Sequence, residues 1–236
     1  MRTVYDVFPD IDEHYQYRKR DDFKDIREVE FWSVYEKYMP FTLLGVARMY
    51  DCFESVRYIA RAGIAGNFVE CGVFMGGCIA AIAEWGVRFG LSNRKYFLCD
   101  TFEGFAGQIS ETDFSGAEVK FGMFPSTHAL VSEVLALTEC PPDYFVICKG
   151  RVEETLENVK FGGLCLVRLD TDYYESTKHE LMQLYPQLTN GGVLIIDDYG
   201  HFEGARRATD EFFSDPKNVC KLHRTDYSGR SGIKIR

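Results

Sequence analysis

Four aspartates in two short blocks carry the strongest chemical signal in the chain. LVRLDTDYYEST sets Asp170 and Asp172 at the end of one apolar run, and VLIIDDYG sets Asp197 and Asp198 at the end of the next. If the first run continues as a strand, residues i and i+2 face the same side, so Asp170 and Asp172 address one site. Carboxylates about 4 Å apart repel by roughly 4 kcal/mol at an effective dielectric near 20. Such a cluster needs a cation, shared protons or broad solvation. Oxygen donors with no neighbouring cysteine suit a hard cation, Mg²⁺ before Zn²⁺. The plainer alternative is that one or two of these aspartates only cap the helices that follow.

Upstream, Glu70-Cys71-Gly72-Val73-Phe74-Met75-Gly76-Gly77 reads as a glycine-rich turn between a strand and a helix. Gly72 would permit the turn, and Gly76 and Gly77 would let a ligand approach the backbone at the helix N-terminus. The spacing is not GxGxxG and no GK[ST] follows, which weakens dinucleotide and P-loop readings. Asp100 ends the run KYFLCD, 30 residues after Glu70, where an acidic group can accept from ribose hydroxyls. Together the two sets point to a nucleoside ligand whose phosphates are absent or incidental. Other residues read as structural. The five histidines lack metal-ligand spacing, with only His201 near the aspartates, and Arg206 and Arg207 sit on a solvated helix. Phe31, Trp32, Tyr35 and Tyr38 read as packing, and no GxSxG-type nucleophile signal is present.

The elements that must position these residues follow from periodicity. A helix is expected over about 41–61, from an apolar stripe through Leu43, Val46, Tyr50, Phe53 and Val56, and Gly63 and Gly66 end it. From residue 67 the runs NFVECGV, KYFLCD, DYFVICKG, LCLVRLD and GGVLIID alternate with helices at about 76–89, 152–158, 175–188 and 203–214. VCKLHR and GIKIR close the chain as two more strands. Apolar strands alternating with helices predict a doubly wound α/β fold around a mostly parallel sheet, with ligands beyond the carboxyl ends of the strands. Residues 1–40, rich in charge and aromatics, are expected to form an N-terminal helical arm, a lid or an oligomer contact, and about 104–127 a long covering loop.

The 236 residues (27.1 kDa) suit one sizeable domain, and a composition 46% hydrophobic and 27% charged excludes disordered and fibrous architectures. A net charge of −9 argues against nucleic acid and anionic membrane surfaces as partners. Cys71, Cys99, Cys148 and Cys165 lie in apolar runs with no CxxC pair, as expected of reduced core thiols. The N-terminus lacks the apolar stretch of a signal peptide, and no run approaches the roughly 18 apolar residues of a membrane span. A soluble cytoplasmic protein is expected.

FTLLG, FVECGVFMGG, CDTFEGF, LDTDYYEST and GGVLIIDDYGHFEGARRATDEF, in that order over about 41–215, resemble the macrocin O-methyltransferases. These are S-adenosylmethionine-dependent enzymes acting mainly on sugar hydroxyls. The resemblance implies a class I methyltransferase (Rossmann-like) domain over 41–236, with one antiparallel strand near the C-terminus to which GIKIR could belong. It implies that Glu70, Gly72, Gly76 and Gly77 line the methionine end of S-adenosylmethionine. Asp100, Thr101 and Phe102 would hold its ribose and adenine side, with Gly150 and Arg151 near the adenine. Asp170, Asp197 and Asp198 resemble the family's Mg²⁺ ligands, and Asp172 its general base. Thr171 stands where the family often has Gly, and CDTFEGF lacks a following proline; both bear on substrate fit. The expected partner is a small-molecule sugar or glycoside, and the aromatic arm suggests a homo-oligomer. A catechol or phenol acceptor, or a non-catalytic nucleoside-binding protein with the same shell, are the alternatives.

Overall fold

Strands that are apolar on both faces need cover on both, and the architecture follows from that requirement. The computed structural model describes residues 1–11, 18–104 and 126–236. In chain order it places α1 (Val4–Val7), α2 (Val29–Tyr38), α3 (Val46–Ala62), β1 (Asn67–Cys71), α4 (Gly77–Arg88), β2 (Tyr96–Asp100), α5 (His128–Leu135) and β3 (Phe145–Lys149). Next come α6 (Val152–Thr155), β4 (Leu164–Leu169), α7 (Tyr174–Leu184), β5 (Leu188–Ile196), α8 (Glu203–Ser214), β6 (Cys220–Arg224) and β7 (Arg230–Lys234). The strands form one sheet in the order β3-β2-β1-β4-β5-β7-β6. β1 to β5 pair in parallel, while β7 runs antiparallel to both β5 and β6. The doubly wound sheet expected from the sequence is present, and GIKIR contributes its antiparallel strand.

Alternate residues of each strand enter separate cores. Phe68, Leu98, Leu166 and Ile195 pack with α2, α3 and α4, through residues such as Phe31, Met49, Ile79 and Trp85. Val69, Phe97, Val167 and Leu194 pack with Val152, Leu181 and Leu184 on the opposite face. All eight cysteines are free, and seven are buried. Among the described residues no helix is long and apolar enough to cross a membrane.

Two expectations change at the N-terminal side. The arm is, over α2, a core element: Phe31, Val34 and Tyr38 are fully buried. Buried Glu84 on α4 accepts from Lys37 (2.6 Å), the Tyr38 hydroxyl (2.5 Å) and Arg88 (2.6 Å). α2 thus packs into the same core as α3 and α4. The second change is the helix expected over 41–61, which starts only at Val46. Buried Arg18 donates to the carbonyls of Met39 (2.6 Å), Thr42 (2.7 Å) and Leu44 (3.4 Å), which pins the loop between the 3-10 turn at Met39–Phe41 and α3. Further along, the helix expected to 188 ends at Leu184, and a 3-10 turn containing Pro186 follows. The covering loop expected at 104–127 lies, over 105–125, outside the described residues.

Gly77 opens α4 directly beneath the backbone of Phe41, where an added Cβ would lie 2.6 Å from the Phe41 carbonyl carbon and oxygen and 2.9 Å from the Tyr38 oxygen. Its glycine therefore serves helix packing. Gly77→Ala is expected to cost about 1–3 kcal/mol through overpacking, lowering the melting temperature by several degrees in calorimetry with cofactor affinity unchanged. An unaltered melting temperature combined with weakened cofactor binding would contradict this assignment.

Candidate active site

The site is built at the carboxyl ends of β1, β4 and β5, around one arginine. LCLVRL is buried throughout, and Arg168 sits in register with Glu70 on β1 and Ile195 on β5. A guanidinium at that depth requires carboxylates. Arg168 Nη1 donates to Glu70 Oε1 (2.7 Å) and Asp170 Oδ2 (2.8 Å), and Nη2 to Asp197 Oδ1 (2.6 Å). Asp170 is itself registered by its N–H, which donates to the Cys71 carbonyl (2.9 Å). Gly72 makes that approach possible: its φ is +81°, and a Cβ there would lie 1.9 Å from the Asp170 carbonyl oxygen.

A second arginine arrives from outside the sheet. Arg48, in the first turn of α3, binds Asp197 Oδ2 through Nη1 and pairs through Nε with Asp226 (3.1 Å) in the β6–β7 connection. Both oxygens of Asp197 thus face guanidinium groups. Burial works against its charge, but Arg48 and Arg168 outweigh it and hold the carboxyl below the usual aspartate range.

The other three aspartates converge. Asp170, Asp172 and Asp198 each offer one oxygen, and these oxygens all lie within 4.8 Å of one another. Burial, followed by Asp170 and Asp197, raises the Asp172 carboxyl to about 7. Burial also raises Asp170 despite Arg168, and burial with Asp172 and Asp170 raises Asp198 well above its ordinary value. Asp198 Oδ2 is buried without a hydrogen-bond partner. Three converging carboxylates match the donor chemistry of a hard divalent cation. The partition differs from the one the resemblance implied. Asp197, expected as a metal ligand, is taken up by two arginines, while Asp172, expected only as the base, belongs to the open cluster.

These groups line a cavity of about 530 Å³ that also reaches Glu70, Gly72, Asp100, Thr101, Gly150 and Arg151. Its size is that of an ordinary small-molecule site. Glu70 Oε2 is buried on this wall with no hydrogen-bond partner, and burial raises the Glu70 carboxyl to about 7, with Arg168 pulling against it. Asp100 accepts from the N–H groups of Val73 (2.6 Å), Phe74 (3.1 Å) and Phe102 (2.7 Å), so its carboxylate ties two strand-end turns together. Three residues expected on the cofactor wall do not line the cavity. Gly76 faces the Val131 side chain, Gly77 packs beneath Phe41, and Phe102 is buried against His128.

Two lining arginines were not singled out by sequence reasoning. Arg168 had a visible signal, a single charge inside an apolar strand two residues before Asp170 on the same face. Arg48 had none, being 149 residues from Asp197. Arg207, expected to be solvated, reaches the cavity wall with its guanidinium 3.9 Å from the Tyr174 ring centroid. His201 lies 3.3 Å from the Tyr227 hydroxyl, and burial followed by Arg48 lowers its pKa.

Residues 11–230 match the profile of the macrocin-O-methyltransferase (TylF) family. The chain is 29% identical over 196 residues to the 8-demethyl-8-(2,3-dimethoxy-alpha-L-rhamnosyl)-tetracenomycin-C 4'-O-methyltransferase of Streptomyces olivaceus, covering 81% of this chain and 69% of that protein. It is 28% identical over 166 residues to the mycinamicin III 3''-O-methyltransferase of Micromonospora griseorubida, covering 67% of this chain and 65% of that protein. The matches thus span about two thirds of those relatives' length. The structure of the O-methyltransferase NovP superposes with a TM-score of 0.74 at 22% identity over 83% of each chain, which shows a shared fold. With a match that takes in nearly every element of the sheet, the chain belongs to the macrocin O-methyltransferase family.

Proposed function

We propose that this protein transfers a methyl group from S-adenosylmethionine to a hydroxyl of a sugar or glycosylated natural product, with Mg²⁺ as its cation. The observation that carries the reading is the meeting of Asp170, Asp172 and Asp198 in a cavity continuous with the Glu70, Gly72 and Asp100 wall. The printed activities of the rhamnosyl-tetracenomycin and mycinamicin relatives support the acceptor class.

The roles follow from chemistry. A sulfonium methyl is already a strong electrophile, so the protein must align an oxygen nucleophile and remove its proton. Gly72 and Gly150 keep side chains off the wall where the cofactor would lie, and the unpartnered Glu70 Oε2 offers an acceptor for the amino group of its methionine end. Asp170, Asp172 and Asp198 would hold Mg²⁺, which supplies Lewis acidity that lowers the pKa of an acceptor hydroxyl. Asp172, in the same cluster, would take the proton of the aligned hydroxyl. Arg168 fixes Asp170 through Oδ2, and the two arginines keep Asp197 ionised as a wall of the site.

A transfer assay with labelled S-adenosylmethionine and a panel of O-demethyl glycosides, free sugars and catechols tests this. Product is expected from glycosides with Mg²⁺, lost in EDTA and restored by excess Mg²⁺. Full turnover in EDTA would contradict the metal role, and turnover of catechols alone would contradict the acceptor. Asp198→Asn is expected to lower kcat by about 100-fold or more, since Lewis-acid assistance is worth several kcal/mol and about 1.4 kcal/mol is tenfold. Wild-type kcat in this variant would remove Asp198 from the site.

A further inference from the structure

Asp170, directly after β4, is held by its N–H on the Cys71 carbonyl, whereas Asp172 lies two residues further on and needs another anchor. The Tyr173 N–H donates to the Thr171 carbonyl two residues back (2.8 Å), closing a three-residue turn around Asp172. Asp172 takes a φ of +69°, a conformation that costs a non-glycine residue about 1–3 kcal/mol and persists only when neighbours enforce it.

The enforcing contact comes from α7. The Thr171 hydroxyl lies 3.0 Å and 3.1 Å from the two oxygens of Glu180. Glu180 is fully buried, and among the described residues no lysine or arginine pairs with it. Burying a carboxyl without a cation is costly, and this one is pushed well above its ordinary range by burial, with the Thr171 hydroxyl opposing the shift. An apolar residue would fill that interior position on α7 without this cost. What Glu180 adds is a hydrogen-bond acceptor directly beneath the Asp170–Asp172 turn.

We propose that Glu180 is a positioning residue which, through the Thr171 hydroxyl, locks the strained turn that presents Asp172 to the site. The functional consequence rests on the methyl-transfer reading above, while the lock itself does not.

Four variants test it. Thr171→Ser and Glu180→Gln keep the hydrogen bond, whereas Thr171→Val and Glu180→Leu remove it. Hydrogen exchange at the Tyr173 amide, whose donor closes the turn, is expected to accelerate at least tenfold in Thr171→Val and Glu180→Leu. It should stay near wild type in the two conservative variants. In the transfer assay the disrupted pair should lose about 100-fold in kcat, the scale of a 1 Å misplacement. KM for S-adenosylmethionine should be unchanged, because its wall is carried by other elements. Should Glu180→Leu fail to fold, the Thr171→Val and Thr171→Ser comparison decides. Unchanged exchange in folded Thr171→Val, or equal damage from Thr171→Ser, overturns the lock. Faster exchange with wild-type kcat overturns its positioning role. Absence of any transfer by the wild-type protein would instead count against the methyl-transfer reading, with the exchange result standing on its own.

Discussion

A single buried guanidinium at the end of β4 binds carboxylates carried by β1, β4 and β5, and the arrangement of the site follows from it. Glu70, Asp170 and Asp197 are each held by Arg168, a side chain only 1% exposed. Breaking a buried ion pair by removing one partner typically costs about 3–5 kcal/mol, because the remaining charges stay uncompensated. Arg168 is thus a constraint on register as much as a neutraliser. It requires the three strand ends to stay level, and level strand ends make the cavity floor.

Arg48 completes the division of charge. By joining Arg168 on Asp197 it leaves three acidic side chains facing one another without a basic partner shared among them all. Like charges at that spacing raise each other's proton affinity unless a cation intervenes. Because Arg48 sits at the start of α3, the N-terminal part of the chain reaches the chemistry directly. Arg18 fixes the loop that leads into α3, and α2 anchors that whole region to the core through Glu84.

Much of this was legible in the sequence. The strands were visible because wholly apolar runs ending in Asp or Gly have few other readings, and the two aspartate pairs stood out at their ends. Partnerships over long sequence distances were not legible. Nothing near Arg48 says that it will meet Asp197 and Asp226, and without that contact the four aspartates look equivalent. Glycines were ambiguous for a related reason, since a missing Cβ can admit a ligand or a neighbouring chain. Gly72 admits the Asp170 carbonyl on the cavity wall, whereas Gly77 admits the Phe41 backbone. The late start of α3 was hidden because the residue that captures the FTLLG carbonyls, Arg18, lies in a segment without helical or strand periodicity.

Two arginines hold Asp197, so the proposed cation site falls to Asp170, Asp172 and Asp198. Anomalous diffraction from crystals of the wild-type protein soaked in Mn²⁺ tests it most directly. One peak bounded by Asp170, Asp172 and Asp198 is expected, with Asp197 still paired to Arg48 and Arg168. A peak coordinated by Asp197 with Arg48 displaced, or no peak in this cavity, would contradict it.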